Sequence, residues 1–125
     1  MKAHVLLVED NEVNAYLARF LLQHAGYSVE VAGNGQQALA AAALRRPDLV
    51  LMDIRMPVMD GLEATRRFKA DPALATVPVL ALSANALPQE KLHAEAAGCV
   101  GHIDKPIDVQ HFVAQVQAQL PPELR

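Results

Sequence analysis

The feature that most constrains the fold is a pair of short runs, apolar at every position, that each end abruptly on acid. Val5-Leu6-Leu7-Val8 is followed by Glu9-Asp10, and Leu49-Val50-Leu51-Met52 by Asp53. A strand with one wet face alternates apolar and polar residues. A run without alternation reads as an interior strand of a parallel sheet, covered by helices on both faces. In open α/β sheets, ligands bind beyond the carboxyl ends of the strands, which is where these acids stand. A lone Asp53 could simply end a strand; the rest of the chain gives it company.

Asn11 is a good N-cap for a first helix in which Val13, Leu17, Leu21 and His24 recur at helical spacing, with Leu17 and Leu21 as expected core anchors. Gly26 ends that helix. Ser28 to Ala32 is a less apolar strand, expected nearer the sheet edge. The turn Gly33-Asn34-Gly35 leads to an Ala-rich helix, Gln36 to Arg46, stopped by Pro47. Its run Ala40 to Ala43 reads as a close-packing face in the residue of best helix propensity. After Asp53 and a loop holding Pro57, a helix from about Asp60 to Ala70 is expected to bury Leu62, Thr65 and Phe68. Val77 to Leu82 is a fourth strand, with Pro78 near its start, and it runs into Ser83-Ala84-Asn85. A helix from Pro88 to Ala97 stops at Gly98. Val100 to Ile103 is a fifth strand, ending at Asp104-Lys105-Pro106. Val109, Phe112, Val113, Val116 and Leu120 then mark a last amphipathic helix, ended by Pro121-Pro122.

Five strands alternating with five helices predict a flavodoxin-like (βα)5 fold: a doubly wound parallel sheet with right-handed crossovers and strand order 2-1-3-4-5. The first and third strands flank the crevice of such a sheet. With 125 residues, 52% of them hydrophobic, residues 1–125 are expected to form one domain. A formal charge of −3 gives no footprint for nucleic acid or an anionic membrane. The apolar run at the N-terminus is too short for a signal-peptide core or a membrane span. Cys99 is the only cysteine, so no internal disulfide is possible and the cytoplasm fits best. The initiating Met1 and the Pro-Pro ending favour a protein that stands alone.

On this topology Glu9-Asp10, Asp53, Ser83 and Lys105 converge on one edge of one sheet. Two carboxylates about 4 Å apart repel by roughly 4 kcal/mol at an effective dielectric near 20, so three of them need a cation or a proton. Carboxylate oxygens without His or Cys suit Mg²⁺ or Mn²⁺, which keep waters and so leave room for a phosphoryl group. Phosphoryl transfer is mostly positioning and charge stabilisation. A carboxylate can accept the group as an acyl phosphate, while Lys105 offers a point charge and Ser83 a hydroxyl donor. Taken singly, Lys105 could be a solvated surface lysine, Ser83 a cap, and Glu9-Asp10 a favourable charge at a helix start.

Together these residues resemble the receiver domains of bacterial two-component response regulators, which are CheY-like. That family carries an acidic pair after the first strand, a phosphoacceptor Asp after the third, Ser or Thr after the fourth and Lys-Pro after the fifth. Here those are Glu9-Asp10, Asp53, Ser83 and Lys105-Pro106, with DIRMPVMDG and GHIDKP in their expected places. The opening of the first helix, Asp10 to Asn14, looks like DivK-type single-domain regulators and the receivers of hybrid kinases. The resemblance implies a non-enzymatic signalling phosphoacceptor: Asp53 takes a phosphoryl group from a phosphohistidine on a histidine kinase or phosphotransfer protein. Asp10 and Asp53, Glu9 through water and the backbone carbonyl of Arg55 would hold Mg²⁺. Ser83, the backbone of Ala84 and Lys105 would bind phosphoryl oxygens, and the Lys105-Pro106 peptide would be cis.

Where many members carry Tyr or Phe as a rotamer switch, this chain has His102. Its imidazole could swing inward as Ser83 is drawn to the phosphate, or stay exposed and not switch. Arg55 and Asn85 stand where the family tunes the lifetime of the phosphoryl group. Arg55 could shield that group from water or simply face solvent. Asn11, Asn14 and Tyr16 are candidates to meet the donor, and the fourth helix, fifth strand and fifth helix would carry output to a protein partner. The other histidines (His4, His24, His93, His111) lack metal spacing and read as surface or packing residues. Three rival readings stand beside this one. A metal-dependent phosphatase with an Asp nucleophile would want a second acid where Arg55 stands. A flavin or nucleotide module would want a phosphate loop where Glu9-Asp10 stand. A docking module that is never phosphorylated would keep the same fold.

Overall fold

A computed structural model describes residues 2–56, 59–84 and 87–125. Five parallel strands lie in the order β2-β1-β3-β4-β5: β1 His4–Val8, β2 Ser28–Ala32, β3 Leu49–Asp53, β4 Val79–Ala84 and β5 Gly101–Lys105. The helices between and after them are α1 Glu12–His24, α2 Gly35–Leu44, α3 Gly61–Ala70, α4 Pro88–Ala97 and α5 Phe112–Gln117, with a short 3-10 turn at Pro122–Leu124. This is the doubly wound flavodoxin-like order expected. Every residue of β1 and β3 is buried, as unbroken apolar runs require.

Successive side chains of a strand point to opposite faces, and the core divides accordingly. On one face Val8, Val50, Met52 and Val79 pack with Ala38, Ala64 and Phe68. On the other, Leu7, Leu51, Leu82 and Ile103 pack with Leu22, Phe112 and Val116. Register does the positioning. Val8 pairs with Met52, so Glu9 and Asp53, each one step further, come out side by side. Asp53 pairs with Leu82 and Ala84 with Lys105. Strands about 4.8 Å apart thus deliver their last residues to one rim.

Several sequence expectations are corrected. The core side of α1 is Ala15, Ala18 and Leu22, not Leu17 and Leu21, which are only half-buried; Val13 is 78% exposed and His24 is exposed. Small alanines let the helix axis approach the sheet, and the bulkier leucines flank the contact. In α2 the packing residues are Gly35, Ala38 and Ala42, while Ala40 and Ala43 face solvent. Leu62 of α3 is half-buried, with Ala64 doing the packing alongside Thr65 and Phe68. Strand β4 runs on through Ser83 and Ala84, and β5 through Lys105, leaving Val100 outside. The last helix starts at Phe112, since Asp108 turns the chain first: its carboxylate accepts from the Gln110 N–H at 3.0 Å and its carbonyl from the Phe112 N–H at 2.8 Å. Val109 is therefore 56% exposed, and Leu120 is buried beyond the helix end.

One glycine fixes the chain after Asp53. A Cβ on Gly61 would lie 2.2 Å from the Asp53 carbonyl oxygen and 2.7 Å from the Ile54 Cα. The bare backbone instead donates from the Gly61 N–H to the Ile54 carbonyl at 2.8 Å, while Asp60 caps α3 through the Glu63 N–H. Gly61→Ala is expected to lower stability by about 2–4 kcal/mol through this backbone clash. Urea unfolding followed by circular dichroism reads it directly.

Candidate functional site

At the carboxyl rim of the sheet, Glu9 and Asp53 are both 4% exposed and Ser83 1%. Asp10, one residue further from the core, is exposed. Glu9, Asp10 and Asp53 each present a carboxylate oxygen within 4.8 Å of the others. The Lys105 ammonium reaches in from β5, 2.6 Å from Glu9 Oε2 and 3.2 Å from Asp53 Oδ2. Even so, Glu9 Oε2 has no aligned hydrogen-bond donor among the described residues, so the Lys105 contact is an ion pair of poor hydrogen-bonding direction. The other Glu9 oxygen accepts from the Asn11 N–H at 3.3 Å, and Asp53 Oδ1 accepts from the Arg55 N–H at 3.2 Å. Asn11 meanwhile caps α1, its side chain accepting from Val13 and Asn14 N–H groups.

The electrostatics follow from this crowding. Burial first, and then the Glu9 charge, push the Asp53 carboxyl up to about 6, against the pull of Lys105 and the Arg55 N–H. Burial works against the Lys105 ammonium, but Glu9 and Asp53 outweigh it and hold that group above its usual range. One ammonium thus partly balances a cluster of three acids. An all-oxygen set with an under-bonded, buried carboxylate oxygen fits a hard divalent cation such as Mg²⁺.

Among the described residues the Ser83 hydroxyl makes one long bond, donating to the Ala84 carbonyl at 3.4 Å. The Lys105-Pro106 peptide is cis. The His102 side chain is half-buried, at 13% exposed. Its Nδ1 lies 3.4 Å from Asp104 Oδ1, and Nε2 is buried without a partner among the described residues. Asn85 lies outside the described residues. The Arg55 guanidinium is not over the acids: it pairs with Glu90 of α4 at 2.6 Å. No spacing in the sequence signals that pair, since its members are 35 residues apart. A small cavity of about 50 Å³ opens beside the Glu9–Lys105 pair, with Asn14, Leu17 and Ile107 in its wall.

Residues 5–117 match the model of the response regulator receiver domain. The chain belongs to that family. This receiver is 40% identical over 120 residues to the polar-differentiation response regulator DivK of Brucella anthropi, covering 96% of this chain and 98% of that one. Among solved structures it resembles the chemotaxis protein CheY4 of Vibrio cholerae, with a TM-score of 0.92, 32% identity, and coverage of 96% of this chain and 100% of that one. It also resembles the receiver domain of a sensor histidine kinase of Pseudomonas aeruginosa, in which a magnesium ion is coordinated in the active-site cleft. There the TM-score is 0.87 and identity 36%, over 95% of this chain and 98% of that one. The receiver is thus a phosphoacceptor signalling domain of the two-component kind.

The raised Asp53 carboxyl has a consequence for stability. Its value in the fold, about 6, exceeds its ordinary 3.8, so its stabilising contribution is complete below pH 4 and lost as pH rises through 6. With divalent ions chelated, Asp53→Asn should stabilise the receiver on the order of 1–3 kcal/mol at pH 7.5 and hardly at all at pH 4. Chemical denaturation of both proteins at the two pH values provides the comparison.

Proposed function

We propose that Asp53 accepts a phosphoryl group from a phosphohistidine, carried by a histidine kinase or a histidine phosphotransfer protein. The observation that carries this reading is the Lys105 ammonium paired at once with Glu9 and Asp53 on the rim where Ser83 also ends. A carboxylate oxygen of Asp53 bonds to phosphorus as the bond from phosphorus to the imidazole nitrogen breaks. The electron pair of that bond returns to the donor ring, leaving an acyl phosphate on Asp53. Asp53 is the acceptor because it alone of the three acids ends a strand facing both Lys105 and the loop N–H of Arg55.

Glu9, Asp10, Asp53 and the Arg55 backbone carbonyl would hold Mg²⁺, or Mn²⁺ in its place. When bound, the ion neutralises the acids and the incoming phosphoryl charge. Lys105 then exchanges carboxylate for phosphoryl oxygen. The Ser83 hydroxyl, at a long 3.4 Å from the Ala84 carbonyl it donates to, turns to donate to another phosphoryl oxygen, with the Ala84 N–H beside it. The added charge, about −1.5 to −2, with its strong acceptors, biases the start of α4 between two arrangements. His102, half-buried on β5 with a buried Nε2 that has no partner among the described residues, is the ring positioned to follow Ser83. Output passes to a protein partner at α4, β5 and α5, where Leu92 of α4 is exposed, as is Val109 in the turn before α5.

The donor meets Asn11, Asn14 and Tyr16 on α1 beside the site. The chain acts as one receiver unit over residues 1–125, its two ends joined by the Ala3 N–H bond to the Leu124 carbonyl. It works in the cytoplasm: its one cysteine is buried as a free thiol, and no helix among the described residues is long and apolar enough to cross a membrane. A net charge of −3 disfavours direct nucleic-acid binding. Its chemistry is limited to its own phosphorylation and slow dephosphorylation. An Asp-nucleophile phosphatase would need an acid where Arg55 stands, exposed and paired with Glu90.

Incubation with acetyl phosphate and Mg²⁺, followed by intact-mass measurement, tests the reading. The wild-type chain is expected to gain one phosphoryl mass, and Asp53→Asn none. A wild-type chain that gains nothing, or a mutant that gains the same mass, overturns it.

A further inference from the structure

Arg55 links two places that differ in function. Its backbone N–H holds Asp53 Oδ1 at 3.2 Å, whereas its guanidinium lies 2.6 Å from Glu90 Oε1. Glu90 stands in the first turn of α4, a helix whose N-cap, Leu87, makes no side-chain capping bond. The Arg55 side chain is 66% exposed and that of Glu90 only 22%. The cation is therefore the free-swinging member and the anion the seated one. The second Glu90 oxygen is buried with no partner among the described residues, so Arg55 is the counter-charge this carboxylate has there.

We propose that Glu90 competes with the Asp53 phosphoryl group for the Arg55 guanidinium, making Glu90 a positioning residue that sets both phosphoryl lifetime and the order of α4. The inference rests on the phosphoacceptor reading of Asp53. A phosphoryl group offers three charged oxygens to a planar fork suited to them, two residues along the chain from where that fork is rooted. Once Arg55 turns to the phosphate it covers the phosphorus from water, and the first turn of α4 loses its tether. Glu90 pulls the guanidinium back and so shortens the protected period. In the decay a water oxygen bonds to phosphorus as the bond from phosphorus to the Asp53 oxygen breaks. The electron pair returns to the carboxylate, a water proton goes to solvent and inorganic phosphate leaves.

The test is a double-mutant cycle on the full chain, phosphorylated with acetyl phosphate and Mg²⁺ and then freed of donor. An exposed ion pair shifts an equilibrium by about two- to fivefold. Loss of the phosphoryl mass is therefore expected to slow about two- to fivefold in Glu90→Gln. Arg55→Gln and the Arg55→Gln/Glu90→Gln double variant should decay alike. Hydrogen exchange gives a second readout: amides of Leu87–Leu92 should exchange faster on phosphorylation of the wild type, and in unphosphorylated Glu90→Gln, with a smaller further rise when that variant is phosphorylated. Glu90→Gln having no effect, or the same effect with and without Arg55, overturns the proposal while leaving Asp53 a phosphoacceptor. A wild-type chain that gains no phosphoryl mass overturns both.

Discussion

Buried negative charge is what the rest of the molecule accommodates. The register that sets Val8 beside Met52 forces Glu9 and Asp53 into the same nearly solvent-free rim, and Asp10 adds a third carboxylate from the exposed side. Burial and mutual repulsion raise the Asp53 carboxyl. A fold under selection for stability alone would not keep such a cluster, because removing one of these charges relieves strain in the others. Lys105 offsets part of the cost, drawn in from β5 between two of the acids. Its ammonium is charged in every condition that matters, so it can exchange a carboxylate for a phosphoryl oxygen without a proton moving.

The same arrangement explains why the surroundings are stiff on one side and loose on the other. Below the rim, β1 and β3 are wholly buried, and Gly61 locks the start of α3 against the Asp53 and Ile54 backbone. The acids thus cannot drift apart to relieve their repulsion. Beyond the rim, Ser83 is held among the described residues by one long bond, α4 begins without a side-chain cap, and Arg55 reaches away to Glu90. Among the described residues, charge added at Asp53 therefore finds its soft partners in the direction of Ser83 and α4. That asymmetry turns a local electrostatic change into a directed one.

Most of this was readable from the chain because each residue of the rim ends a strand, and strand ends are where apolar runs stop. Glu9, Asp10, Asp53, Ser83 and Lys105 are all of that kind. The packing face of α1 was not readable. Val13, Leu17 and Leu21 have the stronger apolar pattern, yet closeness of approach selected Ala15, Ala18 and Leu22, and hydrophobicity alone does not encode approach distance. Val109 fits the period of the last helix but lies before it, because the Asp108 turn decides where α5 starts. The Arg55–Glu90 pair is a meeting of two exposed-looking residues from different elements, with no local pattern to announce it. His102 could be placed on β5 from the sequence, but the direction of its ring could not.

The central claim is that the three acids form one electrostatic unit made to receive a divalent cation. It is tested most directly by following the Asp53 side-chain carboxyl by carbon NMR across pH, with and without Mg²⁺. In the chelated protein this carboxyl is expected to titrate near 6, as burial beside Glu9 dictates. With Mg²⁺ present it should stay ionised well below that range. An Asp53 curve at its ordinary position without the ion, or one that Mg²⁺ leaves unmoved, would contradict the claim.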